Sequence, residues 1–240
     1  MAGFDFRAGE VLLVDKPLNW TSFDVVNKLR WKLKNKYGIK RFKVGHAGTL
    51  DPLATGLLLI CTGKKTKISQ ELTSENKVYT GTILLGKTTP SYDLETDFDS
   101  EKDVANFDWD IESLNQVAKS FEGEQMQVPP IFSAKKVNGK RAYESARKGK
   151  EIKLEPNKIN IEYFNVDTAL FPKIKFEVKC SKGTYVRSLA HDFGQKLSLG
   201  GTLIELRRIF SGDLSITDAK SVEEWLEIID AAEVTEDVSK

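Results

Sequence analysis

The 240-residue chain has only two cysteines, two histidines and seven prolines. Cys61 and Cys180 cannot build a disulfide framework, and with His46 and His191 they cannot supply the ligand set of a zinc finger. The two histidines stand in unrelated contexts, so no metal site is expected from them. Apolar runs such as residues 56–61 fall far short of the ~20 residues that span a bilayer. The first ten residues carry charges and no apolar core, so a secretory signal is not expected. Reduced cysteines then fit the cytoplasm best. No G-x-S-x-G elbow and no G-x-G-x-x-G after a strand occurs. Thr62-Gly63-Lys64-Lys65-Thr66 is not a phosphate-binding loop. Six residues separate its preceding glycine, Gly56, from Gly63 instead of four, and Lys65 occupies the place of the magnesium-holding hydroxyl.

Charge is plentiful but balanced. Charged residues make up 30% of the chain, hydrophobic ones 40%, and the net charge is +1. Such a composition is globular, not disordered. The balance hides segregation. Residues 28–43 hold eight basic residues and no acid, and residues 135–150 hold seven against Glu144. Residues 93–112 hold nine acids against Lys102, and the chain after Gly212 is acidic as well. A near-neutral protein with basic tracts does not bind every polyanion, but it can offer one positive face to a shaped nucleic acid.

Periodicity and turn residues outline the elements. Residues 11–14 read as a strand entering the turn Asp15-Lys16-Pro17. Thr21 or Ser22 caps a helix to about residue 37, with Val25, Val26, Leu29 and Leu33 as its stripe and Gly38 as its stop. Short strands follow at 42–45 and 57–62, separated by a glycine-punctuated loop, and then a short helix at 65–72. Further strands are expected at 78–85, 124–128, 131–137, 159–164, 174–180 and 203–210. Further helices are expected at 110–121, 142–148, 184–197 and 222–232. Strands and helices mix without regular βαβ alternation. The fold class is therefore α+β, a mixed, mostly antiparallel central sheet flanked by helices. No linker or internal repeat interrupts the chain. Residues 1–212 read as one catalytic domain and 213–240 as a short acidic helical extension.

The loop Gly45-His46-Ala47-Gly48-Thr49-Leu50-Asp51-Pro52-Leu53-Ala54-Thr55-Gly56 is the most informative segment. Its glycines permit positive φ and close approach of another molecule. Its single acid, Asp51, sits among small and apolar residues. On physics alone Asp51 also suits a plain turn before proline.

This loop resembles, unbroken over twelve residues, the signature loop of the TruB family of tRNA pseudouridine synthases. The resemblance extends from about Val11 to Phe210. Asp15-Lys16-Pro17 with Thr21-Ser22 resembles the family's N-terminal motif, and Lys77-Val78-Tyr79 its tyrosine motif. Ser133-Ala134-Lys135-Lys136 with Gly139-Lys140 and Tyr143 resembles its central motif. The run from Cys180 to Leu189, containing Lys182-Gly183-Thr184-Tyr185-Val186-Arg187, resembles its arginine motif, and Leu206-Arg207-Arg208 its last strand.

The resemblance implies the pseudouridine synthase fold and a reaction without cofactor or metal. Uridine 55 in the T-arm of tRNA would lose its N-glycosidic bond, turn, and be rejoined through carbon. Asp51 is implied as the nucleophile. A carboxylate can bond to and leave a carbon centre, splitting one hard step into two. Arg187 is implied as its charge partner, because a guanidinium stays ionised and binds carboxylates at two points. The target base must be flipped out, and Tyr79 is implied as the ring it stacks on. His46 is implied to sit among the T-loop bases. Tyr185 and Leu206 match pocket-wall residues, and Asp93 matches an acid near the pocket. Residues 88–93 nevertheless depart from the pattern, because Pro90 stands where the family commonly has an acid. Lys64 and Lys135 are assigned to RNA contact, with the basic tracts as grips on the T-arm backbone.

The expected partner is tRNA, with no guide RNA and no membrane, and the expected state is a monomer. Many family members carry a small C-terminal RNA-binding (PUA) domain, for which the residues after Phe210 leave no room. Two other readings compete. An RNA-folding aid that opens the T-loop needs the same surface without the catalytic set. A sugar hydrolase needs two carboxylates at the bond, whereas the loop offers only Asp51.

Overall fold

Thr21 starts the first helix by a reciprocal cap. Its hydroxyl accepts from the Asp24 amide at 3.0 Å, and the Asp24 carboxylate accepts from the Thr21 amide at 2.8 Å. Helix α1 spans Ser22–Tyr37 and ends at Gly38, whose φ of 65° is the left-handed stop that glycine supplies. Its stripe of Val25, Val26, Leu29 and Leu33 is buried as the spacing predicts.

The computed structural model describes residues 3–105, 107, 110–133 and 154–233, and the backbone of 136–137 and 140–141. Two compact units divide it: residues up to Glu75 together with those from Arg207 onward, and residues Asn76–Leu206.

In the first unit, strand β1 (Val11–Lys16) pairs antiparallel with β3 (Ala54–Thr62), setting Lys16 opposite Gly56. Strand β2 (Val44–Ala47) also pairs antiparallel with β3, setting His46 opposite Ile60. The nine residues of β3 begin three earlier than the apolar run suggested. Gly56 explains this. At φ +100° it brings the strand so near its neighbour that a Cβ would lie 2.3 Å from the Arg208 carbonyl oxygen. A 3-10 turn (Gly63–Ile68) and helix α2 (Ser69–Ser74) replace the single short helix expected there.

In the second unit, β4 (Lys77–Leu85) pairs antiparallel with β7 (Lys173–Cys180), which forms a hairpin with β6 (Asn157–Leu170). Strand β5 (Gly123–Gln127) closes the other edge of β6. Strand β6 is fourteen residues long, well past the expected stretch, because its outer part alternates apolar and polar beyond Phe164. Helix α3 (Ile111–Lys119) is capped by Asp110, and α4 (Val186–Lys196) buries Leu189, Ala190 and Phe193. Phe164 organises the core, with edge-on contacts to Phe176 at 5.8 Å and Phe193 at 5.6 Å between ring centroids.

Strand β8 (Gly201–Ser211) gives Gly201–Leu206 to the second unit and Arg207–Ser211 to the first. The strand order is β1-β3-β8 in the first unit, with β9 (Leu214–Ser215) beside β8, and β8-β4-β7-β6-β5 in the second. The pairings are mostly antiparallel in an α+β fold. Residues 131–133 are a bend, not the strand expected, and 136–137 pair with 140–141 as a two-residue hairpin. The helix expected at 142–148 lies outside the described residues.

The stretch after Gly212 supplies helix α5 (Val222–Ala231) to the first unit. Ser221 and Glu224 form a second capping box, and Val222, Trp225 and Ile229 are buried. The Trp225 indole donates to the Leu13 carbonyl at 2.9 Å, and Lys32 of α1 pairs with Asp230. Among the described residues no helix is long and apolar enough to cross a membrane.

Candidate active site

Within the first unit the loop between β2 and β3 is tied down from three sides. Ser22, the first residue of α1, donates its hydroxyl to the Leu50 carbonyl at 3.0 Å and accepts from the Leu50 amide at 2.8 Å. This fixes the backbone one residue before Asp51. Arg208, 1% exposed, donates Nε to the Leu57 carbonyl at 2.6 Å and an η nitrogen to the Gly48 carbonyl at 3.1 Å. Lys16 is fully buried at the end of β1. Its ammonium donates to the carbonyls of Pro17 at 2.8 Å, Trp20 at 2.6 Å and Pro52 at 3.4 Å. A charged amine removed from water needs such partners.

Burial pushes the Lys16 amine down to about 8, while the negative charge of Asp51 pulls it partway back up. Asp51 is half-buried on this scaffold, and its own carbonyl accepts from the Ala54 amide at 3.1 Å. Strand β2 carries His46 into the start of the loop. Burial, and then the Arg208 charge, hold the imidazole below its ordinary range, so it is neutral at pH 7. Arg207 grips the Asp15 carboxylate at both oxygens, at 3.0 and 2.7 Å. Lys16, Ser22 and Arg208 belong to motifs visible in the sequence, but their work on the loop was not. Their acceptors are backbone groups, which leave no sequence signal.

Lys64 is exposed, as an RNA contact requires. It lines a cavity of about 410 Å³ with Arg7, Arg41, Lys43 and Lys67. Five cations and no carboxylate among the lining residues suit a polyanion backbone.

In the second unit the arginine motif forms the start of α4. Arg187, 4% exposed, pairs with Asp93 at 3.3 Å and donates to the carbonyls of Ser91 at 3.4 Å and Phe132 at 3.1 Å. Asp93 is buried too, and it accepts from the Glu95 amide at 3.0 Å. A short parallel bridge joins Asp93 to Leu203 of β8. The departure at Pro90 therefore leaves Asp93 anchored. Tyr185 precedes α4, and the Gln127 amide clasps its backbone in both directions, at 2.8 and 3.0 Å. Tyr79 lies on β4 opposite Val178 and is 9% exposed. Leu206 is half-buried on β8. Lys135 lies outside the described residues.

The geometry thus brings Arg187 and Asp93 together in one unit. In the other it fixes the Asp51 loop by two buried cations and a serine. The family described as TruB family pseudouridylate synthase (N terminal domain) matches residues 34–186. A tRNA pseudouridine synthase B of Flavobacterium johnsoniae is 51% identical over 216 residues, covering 90% of this chain and 93% of its own. One of Phocaeicola vulgatus is 45% identical, covering 98% of this chain and all of its own. Among solved structures, that of a Cbf5-Nop10-Gar1 complex holds a chain 27% identical with a TM-score of 0.68. The match covers 92% of the present chain and 54% of that one, so the present chain spans about half its length. On the family match and these identities, the chain belongs to the TruB family of pseudouridylate synthases.

Proposed function

We propose that the protein isomerises uridine 55 in the T-arm loop of tRNA to pseudouridine, with Asp51 as nucleophile on a flipped-out base. The observation that carries this reading is the loop around Asp51. An acid that only filled a turn would not require a buried lysine, a buried arginine and a serine to pin the backbone on either side of it. Preorganisation of that kind lets a carboxylate act without reordering at the moment of reaction.

In the proposed reaction the N1–C1′ bond breaks, the base turns, and C5 bonds to C1′. C5 then gives up its proton and N1 gains one, so the atoms balance without a co-reactant. Asp51 takes and releases the covalent bond during the detachment. Tyr79 stacks on the extruded base, which offsets part of the unstacking cost. Arg187, oriented by Asp93 and two carbonyls, supplies fixed positive charge to the reaction. His46, neutral and flat, both stacks and hydrogen-bonds among T-loop bases. Tyr185 and Leu206 are wall residues. Lys64 and its neighbouring cations hold phosphates, joined by the tract that contains Lys135. The enzyme works in the cytoplasm as a monomer without a guide RNA.

Treating an unmodified tRNA transcript with the protein and mapping pseudouridine tests this. One new pseudouridine, at position 55, is expected. Modification elsewhere, or none, contradicts it. The folding-aid reading is separated by complementing a deletion strain with Asp51→Asn. Full rescue without pseudouridine favours that reading over catalysis.

A further inference from the structure

Helix α1 carries side chains that neither the core nor α5 uses. Its stripe of Val25, Val26, Leu29 and Leu33 is buried. Lys32 and Lys36 turn towards α5, where Asp230 receives both. Between these flanks runs a strip of Phe23, Asn27, Arg30, Trp31 and Lys34, spaced three and four residues apart and so lying on one face. Phe23 is 57% and Trp31 60% exposed. The Arg30 guanidinium lies 5.8 Å from the centre of the Phe23 ring. It also donates to the Asn27 side chain at 3.0 Å and to the Val44 carbonyl of β2 at 2.8 Å. The Arg30 cation is therefore held beside the Phe23 ring, with Trp31 open farther along the same face.

The strip is continuous with the Asp51 scaffold. Ser22, beside Phe23, holds Leu50, and Val44 lies two residues before His46. Trp31 stands about 12 Å farther along the helix axis than Phe23. Open aromatic rings interleaved with cations are the combination that binds single-stranded nucleic acid, bases on the rings and phosphates on the cations. A paired stem offers phosphates but no open base faces, so it leaves the rings unused. A protein partner would favour a contact core depleted of charge. Here Arg30 and Lys34 sit in the strip, within a tract of eight basic residues and no acid.

The unpaired T-loop bases are committed to Asp51, Tyr79 and His46 in the reading above, so we infer that this face of α1, in place of the T-arm grip expected of its tract, docks unpaired nucleotides of the substrate tRNA that lie outside its T-arm stem-loop. The inference rests on the tRNA reading given above and extends its contact surface beyond the modified loop.

Equilibrium binding of two RNAs, a full-length unmodified tRNA and the isolated T-arm hairpin, tests it. Wild type, F23A/W31A and F23Y/W31F are compared, with thermal melting to verify folding. F23A/W31A is expected to raise Kd for full-length tRNA about tenfold, on the scale of a lost base stack, and to change Kd for the hairpin less than twofold. F23Y/W31F keeps both rings and is expected to restore affinity. No loss on either RNA, equal loss on both, failure of the ring-preserving pair to restore binding, or no tRNA binding by wild type overturns the inference. Pseudouridine yield from wild type on the same RNAs is scored separately. Absence of product ends the catalytic reading, while the affinity ratio still decides the role of the strip.

Discussion

At the residue scale, three side chains lend themselves to direct tests. Lys16 gives up its hydration for three backbone carbonyls. Lys16→Met keeps the volume but takes the ammonium from the Pro17 and Trp20 carbonyls, while Pro52 keeps the Asn19 amide at 2.9 Å, and is expected to cost at least about 2 kcal/mol by urea unfolding. The pH dependence has a definite sign. The folded amine titrates near 8 against 10.5 in the open chain, so between those values the unfolded state holds more protons. Stability of the wild type relative to Lys16→Met should therefore rise from pH 8 to 10.5, and a fall would contradict the burial account. His46 should titrate below 6.5 by NMR, because burial and Arg208 disfavour its charged form. A value above 6.5 would mean that the imidazole is solvated or acid-paired. Arg187→Lys keeps the charge but not the fork that serves Asp93, Ser91 and Phe132. Turnover is expected to fall on the order of 10²-fold in a variant that still folds, with a lowered melting temperature because a lysine cannot serve all three buried acceptors. Near-normal single-turnover rates would remove Arg187 from the reaction.

At the scale of elements, helices α1 and α5 were legible and the strand ends were not. Helix α1 announces itself through Thr21, Gly38 and a four-residue apolar stripe, all local signals. Helix α5 does the same through Ser221, Glu224 and its apolar positions. Strand β3 begins earlier than its apolar run because Gly56 passes against the Arg208 backbone, a contact across 152 positions of sequence that no window reveals. Asp93 was ambiguous for the same reason. Its partner Arg187 is 94 positions away, and Pro90 broke the local pattern. Gly56→Ala should therefore be severe. The side chain meets backbone at 2.3 Å and a φ of +100°, with an expected cost of at least about 1–3 kcal/mol in chemical denaturation. Trp225→Ala in α5 should cost about 3–5 kcal/mol, because it empties a buried site and removes one of two donors to the Leu13 carbonyl, which keeps the Lys220 amide at 3.0 Å. A neutral result would show that α5 is dispensable to the first unit.

At the scale of the whole molecule, near-neutral net charge coexists with a concentrated basic surface on the first unit. RNA affinity should fall steeply with salt if Lys64, Lys67, Arg7, Arg41 and Lys43, which line one cavity, hold phosphates as proposed. The α1 tract adds to them. The proposed catalysis rests on one carboxylate, Asp51, in a loop whose backbone is pinned by Lys16, Ser22 and Arg208. Its most direct test is Asp51→Asn under single-turnover conditions with saturating enzyme and an unmodified tRNA, alongside a measurement of tRNA affinity. The account predicts affinity within a few-fold of wild type and no pseudouridine at position 55. Pseudouridine formed by Asp51→Asn at a rate near that of wild type would contradict it.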